Sequence, residues 1–481
     1  MRSWYTRTAP ARPSTVSVGG MVASSQAVAT QAGVEMLQRG GNAVDAVLTA
    51  AAVLAVAEPM STGLGGDAFA IIAQDGEVTG LDAAGPAPAM IPDLEAIASR
   101  GPCSVDVPGA VAGWGALADR FGAMGLDTCL GPAIDLAERG FAVGAHTARD
   151  WQETEEPQWL PAPRLHTIVR SPELAKTLRA IATGGVDAFY GGDIARRICE
   201  TSWLSEQDLA DYRPFWTKPL ESSFAGFRVF ELPPPTQGIA ALEALKLLER
   251  LGPGLPNQVL AVHLALEDAF SYVRDGADVG FLLSPEYLAE RVRALPQLRT
   301  EPGGGTVYLC AVDEHRMAAS FIQSLYMDFG SGVVAPSTGI ALNNRAACFA
   351  INGRVEAGRR PYHTLIPGML LEHDGSLVGP FGIMGGFIQA QAHLQFLTHL
   401  AEYGLEPQLL LDQPRFRVNG NVVYLEPGLG HRADELASAG FQPMLCNDIE
   451  SFGGGQAIFS SGEVLLGGSD ARKDGYAAGI R

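Results

Sequence analysis

Apolar residues recur along the chain with helical spacing in its first half and strand spacing in its second. Over residues 24–40, Ala27, Ala32, Val34 and Leu37 mark a helix, and Gly40-Gly41 supplies its stop. Asn42 is placed to cap a second helix, Ala43 to Ala57, which is apolar on nearly every face and must therefore be buried. After the Gly-rich turn Ser61-Thr62-Gly63-Leu64-Gly65-Gly66, two strands (69–73 and 78–82) are expected, joined at Asp75-Gly76. Residues 1–20 form an irregular lead-in, and 105–300 are mostly helical. A strand at 227–232 is stopped by Pro233-Pro234-Pro235. Residues 294–305, rich in Pro and Gly, have the composition of an exposed linker. The pattern changes abruptly at 306: a β run over 307–312, a turn at Asp313-Glu314-His315-Arg316, and a second β run over 317–326. Further strands fit near 367–372, 377–383, 421–425, 457–460 and 463–467, with one helix over 387–403 after Gly385-Gly386. No internal repeat is present.

Composition narrows the classes. The 481 residues are 47 % apolar and 18 % charged, too hydrophobic and too weakly charged for a disordered chain. A formal charge of −19 with no basic run argues against nucleic acid or an anionic membrane as partner. The longest nearly uncharged apolar run, Ala46 to Ala57, falls short of the roughly twenty residues a membrane span needs. Cys103, Cys129, Cys199, Cys310, Cys348 and Cys446 form no CxxC and match no metal spacing, so free thiols in a reducing compartment are expected. The N-terminus carries no apolar segment of a signal peptide, and a cytoplasmic location is expected.

The Gly303-Gly304-Gly305-Thr306 junction joins flexible linker to core strand. A threonine hydroxyl needs a base beside it to attack an amide. Cutting the chain before Thr306 would create one, because a free α-amine has a pKa of roughly 7.7–8.0. By itself Thr306 reads as an ordinary first residue of a strand, where β-branched residues are common. The surrounding motifs decide between the two. Gly41-Asn42-Ala43-Val44-Asp45-Ala46, Glu58-Pro59, Ser61 to Gly66, Val107-Pro108-Gly109 with Gly113-Trp114, and Pro233-Pro234-Pro235 with Gly238 stand in the first part. Phe329-Gly330-Ser331-Gly332, Gly339 to Asn344, Arg360-Pro361 and Gly385-Gly386 follow. In this order and at these separations the chain resembles the γ-glutamyltranspeptidase family of N-terminal-nucleophile hydrolases.

The resemblance implies an α+β fold, the four-layer αββα sandwich of those hydrolases. It also implies a precursor that cuts itself into a large subunit, 1–305, and a small one, 306–481, sharing one interleaved core. Thr306 would be the nucleophile. Ser324 stands where relatives carry a hydroxyl that hydrogen-bonds it, and Gly385 and Gly386 match the oxyanion-hole pair. His363 and Thr364 fall where transpeptidases line their substrate pocket. No metal or organic cofactor is called for, and the partner is a small amide substrate; a homo-oligomer is compatible with the sequence. Two departures bear on the substrate: Ala84 replaces the arginine that holds the glutamate carboxylate, and Cys348 replaces the aspartate that holds its ammonium. Arg345 adds a cation at the same wall. The expectation is an amidohydrolase or acylase acting on a small carboxylate-bearing amide through acyl-Thr306. The alternatives are a true glutathione-processing transferase and an uncut, non-catalytic binding protein. Tyr362-His363-Thr364 and Met384-Gly385-Gly386 resemble the divergent amidohydrolase and acylase branch.

Overall fold

The computed structural model describes residues 12–92, 98–153, 162–294, 304–404 and 406–481. The linker expected at 294–305 lies outside them except at its two ends.

The expected helices form where the pattern put them, over Ala27–Gln38 and Ala43–Ala57. Asn42 accepts from the amides of Val44 and Asp45, while Asp45 accepts from the amide of Asn42, so three otherwise orphaned donors are satisfied. Every residue of Ala43–Ala57 is buried, as its all-round apolar character requires.

Two seven-stranded antiparallel sheets form the centre of the fold. One runs in the order Tyr476–Gly479, Met21–Ser24, Gly305–Val312, Ala318–Tyr326, Asp67–Gln74, Glu77–Ala83, Phe215–Thr217. The other runs Thr15–Ser17, Val464–Ser469, Gly454–Ser461, Leu377–Met384, Gly368–Glu372, Phe227–Glu231, Leu220–Phe224. Both draw strands from either side of residue 305. Residues 15–17 are therefore a strand and not irregular, since Val464–Ser469 supplies the missing hydrogen-bond partners. Strands Phe215–Thr217 and Tyr476–Gly479 also lack a local pattern and exist through their neighbours.

Strand alternation explains the packing. Phe69, Ile71, Tyr308 and Ile322 of the first sheet meet Met369, Leu371, Ile458 and Leu465 of the second in one cluster. The opposite face of the first sheet, with Val307, Leu309 and Phe321, packs on the N-terminal helices. The opposite face of the second, with Leu370, Phe381 and Phe459, packs on Gly238–Leu251, Leu255–Tyr272 and Ile388–Tyr403. The hairpin of Gly305–Val312 and Ala318–Tyr326 is thus covered on both faces, and its open end carries the candidate chemistry. No helix among the described residues is long and apolar enough to cross a membrane.

Candidate active site

Thr306 stands at an irregularity of the hairpin. Gly305 pairs with Tyr326 and Val307 with Gln323, so Ser324 and Leu325 together face Thr306. The extra residue turns the Ser324 hydroxyl toward the strand start. Thr306 Oγ1 donates to the carbonyl of Gly305 at 2.6 Å and lies 3.4 Å from Ser324 Oγ. Ser324 Oγ donates to the same carbonyl at 2.5 Å and accepts from the amide of Tyr326 at 2.7 Å. Two buried hydroxyls therefore converge on the carbonyl preceding Thr306.

The motif residues hold this end in place. Leu325 N donates to Ser61 O at 3.1 Å and Phe329 N to Met60 O at 2.7 Å. Gly66 approaches so closely that a Cβ there would lie 2.3 Å from Ser324 O. Trp114 Nε1 donates to Gln323 Oε1 at 3.1 Å, and Gln323 Nε2 donates to Ala51 O at 2.9 Å, pinning the strand beside Ser324 to a buried helix.

Gly385 and Gly386, at φ 124° and 71°, form the turn from Leu377–Met384 into Ile388–Tyr403. Only glycine takes such angles cheaply. A Cβ on Gly386 would lie 3.3 Å from Gly304 N, so the chain just before Gly305 runs across this turn. Gln237, brought in by the Pro-rich motif, donates to the carbonyls of Thr364 (3.0 Å) and Gly386 (3.3 Å).

A cavity of about 390 Å³ opens beside Thr306. Gly304, Gly305 and Gly385 line it, together with Arg100, Asp150, Asp328, Arg417, Glu450 and Lys473. None of these charged residues stood out in the sequence, because they come from six separate segments. Lys473 bridges Asp150 and Glu450 at 3.0 Å each. Burial pushes the Glu450 carboxyl up to about 7, against the pull of Lys473. Asp328 lies against Gly305, where a Cβ would come 2.3 Å from its Oδ1. Burial raises this carboxyl to about 6, with Lys473 and Arg100 opposing the shift and Asp150 adding to it.

The expected substrate residues Arg345, His363 and Thr364 are not among those lining the cavity. All three are buried. The Arg345 guanidinium lies 4.4 Å over the Tyr326 ring, 3.7 Å from Asp67 Oδ2, and donates to Thr364 Oγ1 at 3.3 Å. His363 Nε2 lies 3.2 Å from the same Asp67 oxygen, and its Nδ1 accepts from Leu365 N at 3.4 Å. Burial first, then Arg345 and Arg360, drive the His363 pKa well down, so the ring is neutral with its proton on Nε2. Arg345, expected at the substrate wall, lies in a buried cluster and not in the cavity lining. Its charge answers the buried Asp67, and Tyr326 covers it. Ala84 and Cys348 are buried as well.

Hydroxyls on a single carbonyl beside a left-handed glycine turn are equipment suited to acyl transfer, and the chain is an enzyme of the hydrolase and acyltransferase class. It belongs to the gamma-glutamyltranspeptidase family, whose model matches residues 29–480. It is 31 % identical to the glutathione hydrolase-like YwrD proenzyme of Bacillus subtilis, over 97 % of this chain and 99 % of that one. It is 32 % identical to the oxamate amidohydrolase proenzyme of Klebsiella pneumoniae, again over 97 % and 99 %. The crystal structure of cephalosporin acylase from Bacillus halodurans superposes with a TM-score of 0.91 at 37 % identity, covering 100 % of this chain and 99 % of that one. These relatives are N-terminal-nucleophile hydrolases, and the proenzyme names speak of processing from one precursor.

Proposed function

We propose that this chain cuts itself between Gly305 and Thr306 and then hydrolyses small carboxylate-bearing amides through an acyl-Thr306 ester. The observation that carries the reading is the convergence of Thr306 Oγ1 and Ser324 Oγ on the Gly305 carbonyl, at 2.6 and 2.5 Å. In the cutting step Thr306 Oγ bonds to the Gly305 carbonyl carbon, the Gly305–Thr306 C–N bond breaks, and the hydroxyl proton ends on the departing nitrogen. Water then hydrolyses the ester, leaving the Gly305 carboxylate and a free Thr306 amine. That amine is the base for the next hydroxyl attack, now on substrate.

Ser324 polarises the carbonyl under attack and afterwards orients the nucleophile. The amides at Gly385 and Gly386 receive the developing oxyanion. Arg345, His363 and Thr364 serve as the floor beneath: Thr364 shares Gln237 with Gly386, and so holds the glycine turn in register. The helices on the two outer faces and the two facing sheets make the four-layer αββα sandwich of the N-terminal-nucleophile hydrolases. Residues 1–305 and 306–481 become its large and small subunits. The free cysteines suit a cytoplasmic setting.

Two bands of about 32 and about 19 kDa are expected on a denaturing gel, because the amine of Thr306 exists only after cutting. N-terminal sequencing of the smaller should begin Thr-Val-Tyr-Leu. Turnover by a preparation that is wholly one intact chain would overturn the mechanism. Without cutting or turnover under any condition, the binding-protein alternative stands.

A further inference from the structure

One arginine in the cavity wall has no partner among the described residues. Arg417 lies on the strand Phe416–Asn419, where Phe416 and Val418 point into the core and alternation turns Arg417 the other way, into the cavity shared with Thr306. Its Nε is buried without a hydrogen bond, and its guanidinium makes no hydrogen bond or ion pair among the described residues. Arg415, two residues earlier, is fully engaged: it donates to the carbonyls of Phe452 and Gly453 and to Asp470. The acids of the cavity do not serve Arg417. Asp150 and Glu450 hold Lys473. Asp448 accepts from Glu450 N and Ser451 Oγ, and Asp328 lies against Gly305.

The strand that presents Arg417 is held firmly. Gln395 exchanges two hydrogen bonds with the backbone of Phe416, at 3.0 and 2.9 Å. Gln391 does the same with Val418, at 3.1 and 2.7 Å. Both glutamines sit on Ile388–Tyr403, the helix that begins directly after Gly385-Gly386. Arg417 and the glycine turn are therefore tied to one rigid element. A guanidinium that is donor-rich, unpaired among the described residues and carried on a firmly held strand in the same cavity as Thr306 suits an anion from outside the chain.

We propose that Arg417 is the anion anchor of this cavity and binds a carboxylate carried by the amide substrate, taking over the role the sequence suggested for Arg345. The guanidinium fork matches a carboxylate with two parallel hydrogen bonds. This inference rests on the reading of Thr306 as nucleophile in the same cavity. The carboxylate sits on either the acyl part or the amine part of the substrate, and the test separates the two.

The experiment uses cut wild-type enzyme and Arg417→Gln, Arg417→Met and Arg417→Lys. Two substrate pairs are compared by kcat/KM: glutaryl p-nitroanilide against its methyl ester, and N-acetyl-p-aminobenzoate against acetanilide. Wild type should favour the carboxylate member of one pair by at least about tenfold, the scale of one charged hydrogen bond. Arg417→Gln and Arg417→Met should abolish that preference, mainly through KM, and Arg417→Lys should keep part of it. The pair that responds names the part of the substrate that is held. A wild-type enzyme with no preference in either pair, or without turnover of either carboxylate, overturns the proposal; so does a preference that survives in Arg417→Gln or, should that variant not fold, in Arg417→Met. These results would leave Thr306 in place if Thr306→Ala is uncut and inactive. An active Thr306→Ala chain would instead remove the underlying reading.

Discussion

Two charged regions lie on either side of Tyr326, and they differ in what their charges are for. Beneath it, Arg345, Asp67, Asp106 and His363 are fully buried. Arg345 faces Asp67, His363 donates to it, and Gly85 N adds a third contact at 3.0 Å. Burial still pushes Asp67 up to about 7, and Asp106 well above its ordinary range. In front of Tyr326, the Thr306 cavity mixes a satisfied bridge, Lys473 between Asp150 and Glu450, with Arg417 and Asp328, which make no such pair among the described residues. A sealed cluster must balance its own charge, because no ion can enter to do so. A cavity wall is free to leave charge for a ligand. Both arginines keep guanidinium nitrogens without hydrogen bonds, but Arg345 faces the Asp67 carboxylate inside a sealed cluster, whereas Arg417 lines the cavity.

The largest effect should fall on the cavity side. Thr306→Ala should leave one uncut chain with no measurable turnover, since cutting and catalysis use one hydroxyl, while Thr306→Ser keeps some of each. Gel and turnover assay together check it, and wild-type activity in the alanine variant would place the nucleophile elsewhere. On the sealed side, Arg345→Ala should lower unfolding stability by about 3 kcal/mol, because Asp67 is left buried without its cation. Denaturant unfolding in a Thr306→Ala background, where the chain stays whole, measures this. A loss under about 1 kcal/mol would mean that the cluster carries little charge.

A third, smaller effect belongs to Asp328. Its carboxyl is raised to about 6 in the folded chain, so between the unfolded value near 4 and this one the folded state binds the extra proton. Stability contributed this way is greatest at low pH and is lost as pH rises toward 6. Asp328→Asn should therefore gain up to about 2 kcal/mol at pH 8 and almost nothing at pH 4, again in the uncut background. A gain equal at both pH values would assign the effect to something other than ionisation. The smallest effect sharpens the contrast between the arginines: Arg417→Gln should change unfolding stability by less than about 0.5 kcal/mol, against the loss at Arg345. Comparable losses at both would mean that the two arginines play the same structural part.

The sequence located some of this and was blind to the rest for a definable reason. Thr306, Ser324, Gly385 and Gly386 were legible because their neighbours are: a glycine linker ahead of an apolar strand, and a glycine pair ahead of a helix. The structure brings all four to one cavity mouth or its adjoining turn. Arg345, His363 and Thr364 were equally legible as positions, but burial is not a property of position.

What the sequence determined by itself is what local pattern and short motifs encode. That includes the capped helix Ala43–Ala57, the hairpin turn at Asp75-Gly76, the switch to strands at 306, the family and the candidate nucleophile. Only the tertiary structure decided which charges meet. Arg100, Asp150, Asp328, Arg417, Glu450 and Lys473 share a cavity although they are spread from residue 100 to residue 473. Thr15–Ser17 becomes a strand only through a partner at the other end of the chain. Electrostatic pairing and sheet closure depend on distance in space, and a linear order of residues contains no such distance until the two sheets have packed.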